Sequence, residues 1–292
     1  MTYVKKLGVY SGVMVYALYP SQSMLEDLRG QGWRYWLENL VKWFVRGIQS
    51  SSYLYKILTS AEPFPLPRVR YGEEEKREML SLWARTLDAL IICKTRAWYS
   101  IKRQKEGIIK PVPHIEIRTS EESKNIEKNE LIRNLIKGFS GCLLKEIEPL
   151  YKIRIGNVVL RGRPDLYLMS KVGNVIRGII IEIGESSFSS IKRTWHTLPR
   201  LYIYGLSTFK QYGIPHISFY IPLSMGREFA VLALVNSRLE SGGKPTRIPH
   251  MTRLIEEINQ LSELAEPPAP YTMSRLFCNE CEFKTICRHS QK

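Results

Sequence analysis

Three cysteines near the end of the chain fall in the pattern Cys278-Asn-Glu-Cys281-Glu-Phe-Lys-Thr-Ile-Cys287. A turn running into a short helix can bring thiols at that spacing onto one metal centre, and a site built of thiolates alone needs a fourth. Cys142, followed by Leu143 and Leu144, has the surroundings of a small core hydrophobe, the ordinary role of a cysteine outside a disulfide. Cys93 follows Ile91 and Ile92 and precedes a basic and aromatic run, Lys94 to Tyr99, and is the better fourth ligand. Spacing alone does not choose between zinc and an iron-sulfur cluster. Five cysteines, an odd number unevenly placed, argue against a secreted disulfide framework and for metal ligation in a reducing cytoplasm.

A second set of residues points to phosphate chemistry. Asp165 follows Arg161-Gly-Arg-Pro164, and Glu182 sits inside Ile179-Ile-Ile-Glu182-Ile183. An aspartate opening one strand and a glutamate within the next can converge on a divalent cation, which polarises a phosphodiester and acidifies a water. Glu182 is the more telling of the two. A charge within an apolar strand is costly unless it is paired or bound to metal. The five histidines, His114, His196, His216, His250 and His289, show no ligand spacing, and only His196 follows Glu182 closely.

The elements that must position these groups follow from periodicity. Trp33 to Gln49 places Trp36, Leu40, Trp43 and Phe44 at helical spacing, which predicts an amphipathic helix. Leu7 to Tyr19 is apolar but too short to span a bilayer, and it reads as a buried strand or loop. Prolines from Glu62 to Arg70 make a connector, so residues 1–70 are expected to form an N-terminal helical extension. Helices are expected over 73–103 and 120–138. An antiparallel meander of strands over 151–155, 158–169 and 175–183 follows, with Gly156-Asn157 and Lys171 to Asn174 supplying turns. Beyond it lie a helix over 189–212, strands over 216–222 and 228–236, and a helix over 250–265. The expected class is α+β, with a mixed central sheet flanked by helices over 71–270 and a cysteine tail over 271–292.

The charge balance names a class of partner. Forty-three Lys and Arg against 28 Asp and Glu leave a net charge of +15, and six Trp and sixteen Tyr offer stacking surfaces. That combination favours a polyanion such as nucleic acid, and no membrane partner is expected.

The motifs together resemble a known family. Gly162-x-Pro164-Asp165, an apolar strand ending in Glu182, and a helix with a late tyrosine are similar to the PD-(D/E)XK nuclease core of the RecB type, a restriction-endonuclease-like fold. With Cys93 in Cys-x-x-Arg-x-Trp-Tyr and the terminal cysteines, the chain resembles the CRISPR-associated exonucleases of the Cas four family, in its longer archaeal form, over residues 80 to 290. The resemblance implies a cytoplasmic exonuclease that trims DNA, single-stranded or with overhangs, for spacer acquisition beside the CRISPR integrase proteins. It implies a 4Fe-4S cluster on Cys93, Cys278, Cys281 and Cys287, and Mg2+ or Mn2+ on Asp165, Glu182 and the Ile183 carbonyl. The family's lysine two residues after the glutamate is Gly184 here, so Lys192 is the substitute. Its histidine before the sheet falls near Asn129 and Glu130. Its glutamine four residues before the tyrosine is Arg200, which with Tyr204 is assigned to nucleic-acid contact. The alternative is a nuclease-fold module that binds DNA without cutting it.

Overall fold

The computed structural model describes residues 3–29, 33–49, 53–69, 79–107, 121–184, 191–223, 229–237, 250–270, 278 and 281–288. A seven-stranded mixed sheet organises them. It contains β1 (Tyr3–Tyr10), β2 (Val13–Tyr19), β4 (Leu144–Ile147), β7 (Leu166–Val172), β8 (Val175–Gly184), β9 (His216–Pro222) and β10 (Val231–Val235), in the order β1-β2-β10-β9-β8-β7-β4. Only β8 and β9 run parallel, and the other neighbours pair antiparallel. A smaller sheet holds β3 (Leu80–Trp83), β5 (Tyr151–Ile155) and β6 (Val158–Gly162) in the order β3-β6-β5.

Every residue of β9 and β10 is buried, as expected for central strands covered on both faces. On one face lie α2 (Trp33–Gln49), α3 (Tyr53–Thr59) and α6 (Glu121–Gly138), with Leu40, Phe44, Leu131 and Leu135 packed against Ile179, Ile181 and Phe219. On the other lie α4 (Arg85–Ile92), α5 (Lys94–Lys105), α7 (Leu198–Tyr212) and α8 (Met251–Glu263), which close over the small sheet. The short α1 (Gln22–Arg29) packs beside α2. The parallel β8–β9 pair needs a crossover, and a 3-10 helix (Ile191–Thr197) followed by α7 supplies it. Pro199 opens α7, and Gly213 closes it in the left-handed region at φ 69°, its N–H bonded to the Phe209 carbonyl at 2.8 Å.

The mixed sheet flanked by helices is the class expected from sequence. Several elements differ from expectation for physical reasons. The first 70 residues hold helices α1 to α3 but are not a separate helical extension: β1 and β2 join the main sheet, with Val231 paired to Leu18 through Val235 to Met14. The helix expected over 73–103 is instead β3, α4 and α5, interrupted at Cys93, whose backbone is extended at φ −161° and ψ 120°. The strand expected over 158–169 divides at Arg163 to Asp165, where Pro164 has no N–H for a ladder. That break carries the chain from the small sheet to the large one, so the strands form two hairpins in different sheets rather than one meander. Among the described residues, no helix is long and apolar enough to cross a membrane.

Candidate carboxylate site and cysteine pocket

The division at Pro164 creates the acidic site. Leu166 pairs with Ile181 in the antiparallel register, so one step outward Asp165 stands opposite Glu182. Ile179, Ile181 and Ile183 pack toward α2 and α6, while Ile180 packs on the α7 side with Tyr167 and Tyr204. Strand alternation therefore puts Glu182 on the α7 side. Asp165 is locked from two directions. Its Oδ2 accepts the Ile183 N–H at 2.6 Å, and its Oδ1 lies 2.5 Å from the Lys128 ammonium on α6.

Glu182 is 2% exposed and meets Arg200, itself buried on the first turn of α7. The Arg200 Nη1 is 2.7 Å from Glu182 Oε1, and its Nε is 3.0 Å from Asp88 Oδ2 on α4. The second approach is an ion pair without hydrogen-bond alignment. Burial, opposed by Arg200 and reinforced by the nearby Asp165 charge, leaves the Glu182 carboxyl raised to about 7. Burial likewise lifts Asp88 to about 6 against the pull of Arg200, Arg85 and Arg96. For Arg200, burial works against the charge, and Asp88 and Glu182 together hold the guanidinium protonated.

Three carboxylates thus share two close cations, and Glu182 Oε2 and Asp88 Oδ1 are buried without a hydrogen-bond partner. Orphaned carboxylate oxygens are the donor type that a hard divalent cation such as Mg2+ or Mn2+ takes, although among the described residues no three carboxylates already stand in metal-binding geometry. Beside them opens a cavity of about 400 Å3 whose lining includes Trp83, Arg85, Lys128, Arg161, Arg163 and Tyr204 along with Asp165.

The four cysteines singled out by spacing, Cys93, Cys278, Cys281 and Cys287, line a second, small pocket, whereas Cys142 packs at the edge of the α2–α6 core. The chain end is seated on α5. Arg96 grips Glu282, Nε to Oε1 at 3.1 Å and Nη2 to Oε2 at 2.8 Å. Tyr99 stacks on the buried Phe283 at 5.3 Å, and its hydroxyl donates to the Ile286 carbonyl at 3.0 Å. Burial pushes the Cys281 thiol up to about 11, with Glu282 and Cys93 adding to the rise. Among the described residues, no three His, Cys, Asp or Glu side chains already stand in metal-binding geometry. Four sulfurs around one pocket nonetheless form a donor set that fits a thiolate-held cluster and does not fit Mg2+.

The expected residues Asp165, Glu182, Ile183, Arg200 and Tyr204 are therefore neighbours. Ile183 enters through its N–H, which donates to Asp165 Oδ2. Arg200 was expected to contact nucleic acid, but at 5% exposure it serves as an internal counter-ion. The Lys192 side chain lies outside the described residues, and among those described the lysine paired with Asp165 is Lys128, two positions before Glu130. Sequence reasoning passed over Lys128 and Asp88. Nothing in the pattern around Lys128 marks it, but Asp88 in Leu87-Asp88-Ala-Leu-Ile-Ile carries the same signal that marked Glu182.

No family model matches this chain, and no curated protein does. Among solved structures, one titled "Crystal structure of SSO0001" aligns over 74% of this chain and 89% of its own, at 19% identity and a TM-score of 0.40.

Proposed function

We propose that this chain is a metal-dependent nuclease that processes DNA ends in CRISPR adaptation alongside integrase proteins, with Asp165 and Glu182 as its cation ligands and Lys128 as its lysine. One observation carries the reading. Two buried carboxylates face each other across adjacent strands, one bearing a lysine and the other an orphaned oxygen, next to a basic cavity. A divalent cation held there would supply Lewis-acid polarisation of a phosphodiester and a more acidic water. The protein's own groups do the positioning. The Ile183 N–H and Lys128 fix the two oxygens of Asp165, and Arg200 draws Glu182 toward its charged form against the effect of burial. Lys128 stands where it can orient a nucleophile beside Asp165, a role the expectation gave to Lys192. The four cysteines would hold a 4Fe-4S cluster that ties the chain end to Cys93, as a staple rather than a redox centre.

A second reading, a DNA-binding module without cleavage, draws on a specific feature. Lys128 and Arg200 already supply cations to Asp165 and Glu182, and Gly184 occupies the position where the resembled nucleases carry lysine. Labelled single-stranded and overhang DNA incubated with Mn2+ separates the two. Wild type should shorten the strands, Asp165→Ala and Glu182→Ala should not, and Lys128→Ala should slow the reaction by roughly 10²–10⁴. Equal background in all four proteins sinks the nuclease reading and leaves the binding module.

A further inference from the structure

The cavity beside Asp165 carries charge that the carboxylate chemistry does not use. Arg85, Lys128, Arg161 and Arg163 line it against only Glu148 and Asp165, so its cations exceed its carboxylates by two. Lys128 is taken up by Asp165, and Arg85 acts on Asp88 and Glu182. Arg161 and Arg163 are engaged by no carboxylate among the described residues, which leaves them for a ligand.

Their setting is built rather than incidental. Trp83 and Arg161 are register partners on the parallel strands β3 and β6, and the Arg161 guanidinium lies 5.2 Å from the centre of the indole ring. The Trp83 backbone N–H is fixed by Gln104 Oε1 at 2.7 Å. Among the described residues neither the Arg161 Nε nor the Trp83 indole nitrogen has a hydrogen-bond partner, so these two donors are not committed to an internal acceptor. A guanidinium stacked on an aromatic face and held by two strands is pre-organised for bidentate phosphate binding. Arg163 follows at the strand break, its carbonyl receiving the Tyr204 hydroxyl at 3.3 Å. Gly162 is required between them, since a Cβ there would sit 2.3 Å from the Tyr204 ring.

We propose that this cavity is a subsite for a phosphate monoester at the end of a nucleic-acid strand, with Arg161 and Arg163 on the phosphate. A monoester is dianionic near neutral pH, matching the two arginines that no carboxylate engages, whereas an internal phosphodiester carries one charge. The cavity volume, about 400 Å3, suits one terminal residue rather than a length of strand. The inference rests on the reading of the chain as a protein of DNA ends. Its test measures binding, so the subsite and the cleavage activity can fail separately.

The measurement is fluorescence anisotropy in EDTA, where metal-dependent cleavage does not run, at one fixed salt concentration because phosphate contacts are salt-sensitive. The probes are short single-stranded oligodeoxynucleotides ending in a 5′-phosphate, a 3′-phosphate or hydroxyls only. One phosphorylated end should bind about tenfold more tightly than the hydroxyl-ended strand, the worth of one charge-assisted contact. Arg163→Ala, at an exposed position that leaves folding intact, should abolish that preference while leaving hydroxyl-ended binding within about twofold. Arg161→Gln should do the same. Equal affinity for all three ends overturns the subsite, as does a variant that weakens all strands alike, the behaviour of a general basic surface. A deoxynucleoside monophosphate that binds as tightly as the phosphorylated strand would assign the cavity to a free nucleotide and overturn the strand-end assignment.

Discussion

The carboxylate centre and the cysteine pocket are the two ends of one short helix, α4, which carries Asp88 in its first turn and ends on Cys93. They are held together in different ways. At the centre Asp88, Asp165, Glu182 and Arg200 are all buried, and Arg200 on α7 bridges Asp88 on α4 to Glu182 on β8, so three elements share one guanidinium. At the cysteine pocket the described residues of the chain end rest mainly on α5, through the Arg96–Glu282 pair and the Tyr99–Phe283 stack, with Ile286 still 58% exposed. A charge buried among several elements must be balanced for the fold as a whole, while a docked segment can open locally. Loss of a counter-ion should therefore be global in the first region and local in the second.

The largest effect expected is from Arg200→Ala, which strands two buried carboxylates and should cost about 3–5 kcal/mol in urea unfolding. The same centre has a pH signature. Glu182 and Asp88 rise to about 7 and about 6 in the fold from ordinary values of 4.5 and 3.8. The folded chain binds these protons more tightly than the unfolded one, so their contribution is fullest below the unfolded values and is lost as pH rises through the folded ones. In EDTA, Glu182→Gln should flatten the decline between the unfolded value and about 7 relative to wild type, and identical slopes would remove the buried-charge account.

Next in size is the cysteine pocket itself. Anaerobically purified protein should absorb broadly in the visible and carry about four irons per chain, and Cys93→Ser should lose both. Colourless protein with stoichiometric zinc would replace the cluster with a zinc site. The smallest effect expected is from Glu282→Ala, which removes the partner of Arg96 at a cost of about 1.5–3 kcal/mol. Limited proteolysis should find the chain end released while the urea midpoint of the core stays in place. A shift of that midpoint comparable to Arg200→Ala would break the contrast between the two regions.

Much of the architecture can be read from local pattern. Uninterrupted apolar runs announce β8 and β9, and the periodicity of Trp33 to Gln49 announces α2, because burial on one face or both leaves its mark on neighbouring residues. The N-terminal hairpin was harder to place. Val13 to Tyr19 reads as apolar, but its pairing with β10 joins residues more than 200 positions apart, and no local signal reports that. The same limit applies to the helix expected over 73–103, whose break at Cys93 is set by what packs on either side of it.

In the site, residue type was enough to mark the cysteines, Asp165 and Glu182, because thiolates at tight spacing and a charge in an apolar strand are chemically conspicuous wherever they fold. Which cations answer those carboxylates was decided only by the tertiary structure. Lys128 comes from a helix nearly 40 positions before Asp165, and Arg200 reaches back from the crossover helix to meet Glu182 and Asp88 at once. An ion pair depends on distance across the fold, and one lysine looks like another in a linear sequence until the fold decides which one is close.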